Sequence, residues 1–229
     1  MFEAFYASGW QHPVALWVAA VVGLAIALAR PGVHRSVRAF ACGLAGLAMV
    51  DAWLTTSVVP GIGALSPRTA TIIAVFFVLA GDFRYFALRE WVRADGTIRP
   101  SFGGAGIAIG FTLLIPIFSQ LVVTVLGAPE PRVLFFVHEF SFVVFVLLRR
   151  AFEPRSNSRP SDWGRRLDWI VLAWYGAWAT ADLVILSTGS DLGFLLRVLP
   201  NLLYYGALPP FLVWSSPAAR SDVGDGRGV

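Results

Sequence analysis

The sequence contains no lysine, and all 18 of its basic residues are arginine. Retinal and pyridoxal phosphate attach to proteins through a Schiff base with a lysine amine. A chain without lysine cannot form that bond, so a retinal-binding rhodopsin is excluded on chemical grounds. We accordingly predict no cofactor. The exclusive use of arginine also suggests a GC-rich bacterial genome.

Cysteine and histidine are scarce as well. Cys42 is the single cysteine, which excludes an intramolecular disulfide and a cysteine-based metal site. The three histidines, His12, His34 and His138, show no ligand spacing such as HExxH. Residue spacing therefore predicts no metal centre.

Charge is sparse, because only 14% of the residues are charged while 57% are hydrophobic. A soluble globular domain carries about 25% charged residues. The composition therefore indicates an integral membrane protein. In such a protein the net charge of +4 reports topology and not nucleic-acid binding. We expect membrane lipids as partners and no nucleic acid.

Long apolar segments account for most of the chain. A helix needs about 20 apolar residues to cross about 30 Å of hydrocarbon. We predict an all-α bundle of seven transmembrane helices within residues 1–214. These helices cover about residues 12–30, 38–59, 69–91, 103–127, 131–150, 167–187 and 191–214. Residues 215–229 are small, polar and glycine-rich, which predicts a disordered cytoplasmic tail.

The arginines fall mainly on one side of the predicted bundle. The first, third and fifth connections and the tail hold 15 of them, if Arg84 and Arg89 are counted with the third connection. The opposite side holds Arg68 and Arg132, and Arg197 falls inside the last helix. Basic residues mark the cytoplasmic side. We therefore predict an external N-terminus and a multi-pass protein of the bacterial plasma (inner) membrane.

Two stretches share a pattern: GDFRYFA, which contains Asp82, and PNLLYYGA, which contains Asn201. The match favours two parallel three-helix units joined by a linker helix, with Asp82 and Asn201 as counterparts near the midplane. Gly81 and Pro200 are expected to interrupt their helices there. Arg84 has no counterpart, and we expect it to reach the cytoplasmic interface. This 3+1+3 layout resembles that of SWEET sugar carriers and related PQ-loop families, although their Pro-Gln signature is absent.

Four acidic residues lie inside predicted helices: Asp51, Asp82, Glu139 and Asp182. An ionised acid at a helix centre costs roughly 2.5–3.5 kcal/mol, so these residues must be protonated, paired or hydrated. We interpret them as part of a pocket for a small polar or cationic solute. The predicted ligand-binding residues are Asp51, Asp82, Tyr85, Glu139, Trp178, Asp182, Arg197, Asn201 and Tyr204.

The same polar residues also have a structural interpretation. Arg197 could pair with Asp182 or Glu139 and hold the bundle together without a ligand. His138 and Glu139 are weak metal candidates, because with Asp51 and Asp182 they offer a histidine-plus-carboxylate set on separate helices.

Three functions stay open at this point. A small-solute transporter or permease fits the repeat and the midplane residues Asp82 and Asn201. A seven-helix receptor or sensor without retinal would use the same pocket. An intramembrane metal-dependent enzyme acting on a lipid-like substrate would need a bound metal or a nucleophile–base pair, and Thr55, Thr56 and Ser57 are the candidate hydroxyls. The sequence favours a protein that is not an enzyme and leaves a homo-oligomer open.

Overall fold

The computed structural model describes residues 1–56, 65–128, 130–153 and 162–217. Within these ranges the chain is helical, and its single β-type contact is an isolated antiparallel bridge between Val92 and Ile98. The all-α prediction is confirmed for this part of the chain. Ser57 and residues 218–229 of the predicted tail lie outside the described residues.

In the part of the chain that the structure describes, six helices are long and apolar enough to cross a membrane. The regular helices are α1 (Phe2–Tyr6), α2 (Leu16–Ala29), α3 (Arg35–Leu54), α4 (Pro67–Trp91), α5 (Phe102–Leu126), α6 (Pro131–Phe152), α7 (Asp162–Thr188), α8 (Leu192–Leu196), α9 (Val198–Leu202) and α10 (Leu208–Ser215). The membrane-length helices are α3 to α7 and the stretch Trp10–Ala29, in which a π-helical turn leads into α2. They correspond to the first six predicted segments, although α3 ends at Leu54, before the predicted end.

Local sequence signals explain where several helices begin. Pro67 and Pro131 lie in the first turns of α4 and α6, where the missing amide hydrogen has no intrahelical partner to lose. Ser66 and Ser101 precede α4 and α5. Each serine hydroxyl accepts a hydrogen bond of 3.2 Å from a first-turn amide, which caps the helix.

The seventh predicted segment is broken into pieces. α8 and α9 are followed by a π-helical turn, Leu203–Ala207, before α10 completes the segment. Pro200, Pro209 and Pro210 supply no amide hydrogens in this region, which weakens a regular hydrogen-bond ladder. Because the pieces are short, the seven-helix count stays a prediction.

The predicted interruption at Gly81 is wrong. α4 runs without a break from Pro67 to Trp91 across that residue. Gly81 is instead a packing position, because a Cβ atom there would lie 1.9 Å from the hydroxyl oxygen of Tyr204. The Tyr204 ring occupies the space that a larger residue would need.

Helices that follow one another in sequence mostly pack as neighbours. α2 packs against α3, α4 against α5, α5 against α6, and α6 against α7. The pieces of the seventh segment close the bundle by packing against α2, α3 and α7. α4 also contacts α7, so α4, α7 and the π-helical turn Leu203–Ala207 meet in the interior.

The exterior of the bundle is apolar, and its interior holds polar groups. Large exposed apolar side chains are distributed along the long helices and include Val18, Phe76, Ile117, Phe140 and Trp169. Asp82 and Asp182 have no exposed surface. Helices with all backbone groups bonded internally and an apolar exterior suit a lipid environment. The structure is consistent with a multi-pass integral membrane protein.

Gly23 of α2 crosses the π-helical turn at Gly206, and this close approach gives a stability prediction. A Cβ atom on Gly23 would lie 1.9 Å from the backbone carbonyl oxygen of Gly206. We predict that Gly23→Ala lowers the free energy of unfolding by about 1–3 kcal/mol, the usual cost of overpacking. Unfolding of the purified protein in SDS measures this loss. Gly46→Ala in α3 is the control, since a Cβ there meets nothing within 4 Å; equal losses would contradict the explanation.

Candidate ligand pocket

A cavity of about 240 Å³ lies between the helices near the end of the bundle that carries α1. We call it the central pocket. Its lining residues are Tyr6, His12, Asp51, Thr55, Ala74, Phe77, Val78, Phe135, His138, Glu139, Tyr175, Trp178, Arg197, Asn201, Tyr204 and Tyr205. Drug-sized ligands occupy pockets of about 300–1,000 Å³, so this cavity suits a smaller molecule.

Most of the predicted ligand-binding residues meet at this cavity. Those that line it are Asp51, Glu139, Trp178, Arg197, Asn201 and Tyr204. Asp82 and Asp182 lie buried behind the wall, where they bind the lining residues Tyr175 and Arg197. The structure therefore brings eight of the nine residues together, and their binding of a ligand stays a prediction.

Asp182 of α7 joins two arginines in the pocket wall. Its Oδ1 atom accepts a hydrogen bond of 2.9 Å from Nη1 of Arg132 and another from Nη1 of Arg197. Nη2 of Arg197 lies 3.6 Å from Oε1 of Glu139. The ion pairs that the sequence suggested for Arg197 are thus present. They connect α6, α7 and the seventh segment, so these residues stabilise the bundle.

Asp82 and Asn201, the predicted counterparts, both accept hydrogen bonds from α7. The hydroxyl of Tyr175 donates to Oδ1 of Asp82, and the indole nitrogen of Trp178 donates to Oδ1 of Asn201 at 2.8 Å. The other carboxylate oxygen of Asp82 lies 3.2 Å from Nε2 of His138. The rings of Tyr175 and Trp178 are 5.5 Å apart between centroids. The two counterparts are therefore linked through one aromatic pair.

Arg84 does not reach an interface, so that expectation was wrong. Arg84 is buried, and its guanidinium carbon lies 3.9 Å from the centroid of the Tyr204 ring. Nη2 of Arg84 donates to the Tyr204 carbonyl oxygen at 3.0 Å. That carbonyl belongs to the π-helical turn, and Pro209 and Pro210, which follow the turn in α10, cannot supply amide hydrogens. Arg84 therefore stabilises the break in the seventh segment.

Asp51 lies in a small polar group at the pocket wall. Oγ1 of Thr55 lies 3.4 Å from Oδ1 of Asp51 and 3.2 Å from Nε2 of His12. Helical spacing places Asp51 and Thr55 on one face of α3. No sequence signal identified His12, which precedes the first long apolar run.

Tyr6 lines the pocket from α1. Its hydroxyl oxygen accepts hydrogen bonds from Nε of Arg197 at 3.3 Å and from Nδ2 of Asn201 at 3.2 Å. α1 is held in place by Asp191, whose carboxylate accepts a bond of 2.6 Å from the Glu3 amide. Tyr6 could not be predicted from the sequence, because a helix of one turn is too short to show hydrophobic periodicity.

Tyr85 lies apart from the central pocket, at the arginine-rich end of the bundle. Its hydroxyl donates to Oδ1 of Asp168 at 2.9 Å, and Nε of Arg89 lies 2.9 Å from the same oxygen. Nη2 of Arg89 lies 2.7 Å from Oε2 of Glu153, and Nη1 of Arg150 lies 3.4 Å from Oδ2 of Asp168. We call these five residues the arginine-end network. Its members are buried or half-buried and bind one another.

A metal centre gains no support from the described residues. His138 and Glu139 both line the central pocket. Within residues 1–56, 65–128, 130–153 and 162–217, no three His, Cys, Asp or Glu side chains are grouped so that they could hold a metal ion.

Comparisons with known proteins do not identify the chain. No protein-family model matches it, and no curated protein or solved structure gives a significant match. The layout resemblance to SWEET carriers and PQ-loop proteins therefore gains no support from them.

Proposed function

We propose that this protein is a small-solute transporter of the bacterial plasma membrane. The observation that carries the proposal is that the central pocket coincides with the break in the seventh segment. Tyr204 and Tyr205 line the pocket and belong to the π-helical turn Leu203–Ala207. Many transporters bind their solutes beside broken helices, and π-helical turns occur frequently at functional sites.

Seven membrane crossings and an external N-terminus are part of this proposal. A helical path from Leu192 to Ser215 would cover about 36 Å at 1.5 Å per residue, which exceeds the hydrocarbon thickness of about 30 Å. The arginine bias supports a cytoplasmic C-terminus. The central pocket then opens toward the outside, because it lies near α1.

The packing of α4 and α10 supports the proposed internal repeat. α4 is the third helix of the first unit and packs against α7, the second helix of the other unit. α10, from the third helix of the second unit, packs in return against α3. Two parallel units that exchange contacts in this way would place a solute site at their interface, which is where the central pocket lies.

Uptake into proteoliposomes tests the proposal. We predict saturable accumulation of at least one solute from a panel of amines, amino acids and sugars, with and without a proton gradient. Ala74→Phe, which adds a ring to the pocket wall, should reduce uptake at least tenfold. Val75→Phe is the matched control, because the neighbouring Val75 side chain is exposed on the bundle surface.

The outcomes separate the candidate functions. No uptake of any solute at any proton gradient would contradict a transporter. Binding without uptake would instead support a receptor that uses the same pocket. Equal loss of uptake in both phenylalanine variants would show that the added ring disturbs α4 and not the pocket.

A further inference from the structure

The carboxylate of Glu139 is the first feature of the central pocket that indicates which class of solute could bind there. Glu139 is 5% exposed, and its side chain lines the cavity. Its Oε1 lies 3.6 Å from Arg197, whose guanidinium already binds Asp182. Its Oε2 has no hydrogen-bond partner within the described part of the chain. A buried acceptor without a donor is costly, so the pocket favours a ligand that brings a donor to this oxygen.

The charged groups around the pocket also favour a ligand that donates hydrogen bonds to Glu139. Four carboxylates lie in or behind its wall, on Asp51, Asp82, Glu139 and Asp182. Three guanidiniums accompany them, on Arg84, Arg132 and Arg197. Of the two lining histidines, His138 contacts Asp82 and His12 contacts Thr55, so their ring nitrogens are directed at other groups than Glu139. Glu139 has only a shared and distant cationic partner.

Aromatic rings surround this carboxylate. The Phe, Tyr and Trp rings that line the cavity belong to Tyr6, Phe77, Phe135, Tyr175, Trp178, Tyr204 and Tyr205. Ring faces attract cations, and tryptophan is the strongest of them. One ring in this wall already holds a cation, since the Arg84 guanidinium lies 3.9 Å from the Tyr204 centroid.

The guanidiniums of the wall are engaged by the protein itself. Arg197 binds Asp182 and the Tyr6 hydroxyl, and Arg84 binds the Tyr204 carbonyl and ring. An anionic solute would have to compete with these contacts. A cationic solute needs only the free oxygen of Glu139 and the ring faces.

We propose that the central pocket binds a small organic ammonium ion, with its N–H groups on Glu139 and its carbon skeleton against the aromatic rings. The inference rests on the proposed function, because it identifies the solute class of the same site. The volume of about 240 Å³ limits the solute to a single ring or a short chain.

Three probes of one shape test the charge requirement on the unaltered protein. Calorimetry at pH 7 compares phenethylamine, which is cationic, with neutral 2-phenylethanol and anionic phenylacetate. We expect phenethylamine to bind with a millimolar or lower Kd and the other two to bind at least tenfold more weakly. Equal binding of the alcohol or of phenylacetate would overturn the inference, as would the absence of amine binding.

A matched pair of variants on α6 then tests the role of Glu139. Glu139→Gln should weaken phenethylamine binding at least tenfold and leave 2-phenylethanol unaffected. Glu130→Gln, at the exposed start of the same helix, should change neither. Unchanged amine affinity in folded Glu139→Gln would overturn the assignment. If that variant does not fold, the comparison of the three probes on the unaltered protein still decides the question.

The two proposals fail in different ways. Uptake of a neutral sugar without amine binding would overturn the ammonium site and leave a transporter. Amine binding without uptake of any solute would overturn the transporter and leave the ammonium site.

Discussion

Replacing Arg89 with glutamine is expected to lower the free energy of unfolding by about 3–5 kcal/mol, the usual loss when one partner of a buried ion pair is removed. The side chains of Arg89 and Asp168 are 0% and 1% exposed. Without the guanidinium, Oε2 of Glu153 loses its ion pair with Nη2 of Arg89, which lies 2.7 Å away. Among the described residues, Asp168 then keeps the Tyr85 hydroxyl and Arg150, which lies 3.4 Å away. SDS-induced unfolding followed by circular dichroism measures the loss.

An exposed ion pair at the same end of the bundle provides the control. Arg99 lies 2.5 Å from Asp95, but their side chains are 66% and 44% exposed. Exposed pairs contribute at most about 1 kcal/mol, so Arg99→Gln should have a small effect. Similar losses in both variants would contradict the view that burial determines the cost. Replacing both Arg89 and Asp168 with leucine should recover part of the stability, because the Asp168 carboxylate is then no longer buried without Arg89, although Glu153 and the Tyr85 hydroxyl still lose a partner.

The six membrane-length helices could be predicted because their signal is local. α5 is an apolar run long enough to cross a bilayer, and no partner is needed to recognise it. The break in the seventh segment could be predicted only in part. Pro200 marked the region, but the π-helical turn at Leu203–Ala207 depends on Arg84 from α4 to satisfy a carbonyl group. A contact between distant segments leaves no local pattern.

The same reasoning explains which of the predicted residues lie at the pocket and which lie elsewhere. Buried acids such as Asp51 and Glu139 stand out in a sequence, because a charge inside an apolar segment must have a reason. Helical spacing gives the face on which a residue lies, but not which helix lies opposite. Tyr85 was therefore assigned to the pocket, although its partner Asp168 is in the arginine-end network. Gly81 was interpreted as a helix break because the sequence does not show that Tyr204 packs against it.

Arg197→Gln is expected to tighten phenethylamine binding at least tenfold, although it should also lower the stability of the protein. Arg197 lines the pocket, and its positive charge opposes a cation held by Glu139. Two like charges about 6 Å apart repel by roughly 3 kcal/mol at an effective dielectric constant of 20. Each 1.4 kcal/mol or so corresponds to a factor of about ten in affinity. Calorimetry at pH 8 measures the change, and 2-phenylethanol should show none.

Arg132→Gln is the matched control for this prediction. Arg132 also binds Asp182, at 2.9 Å, but its side chain is 31% exposed and is not among those that line the central pocket. Both variants therefore remove one guanidinium from Asp182 and should share much of the loss in stability. Only Arg197→Gln removes a positive charge from the pocket itself. If Arg197 served the fold alone, neither folded variant would bind the amine more tightly than the unaltered protein. Tighter binding in Arg197→Gln alone separates an electrostatic role at the solute site from a structural one.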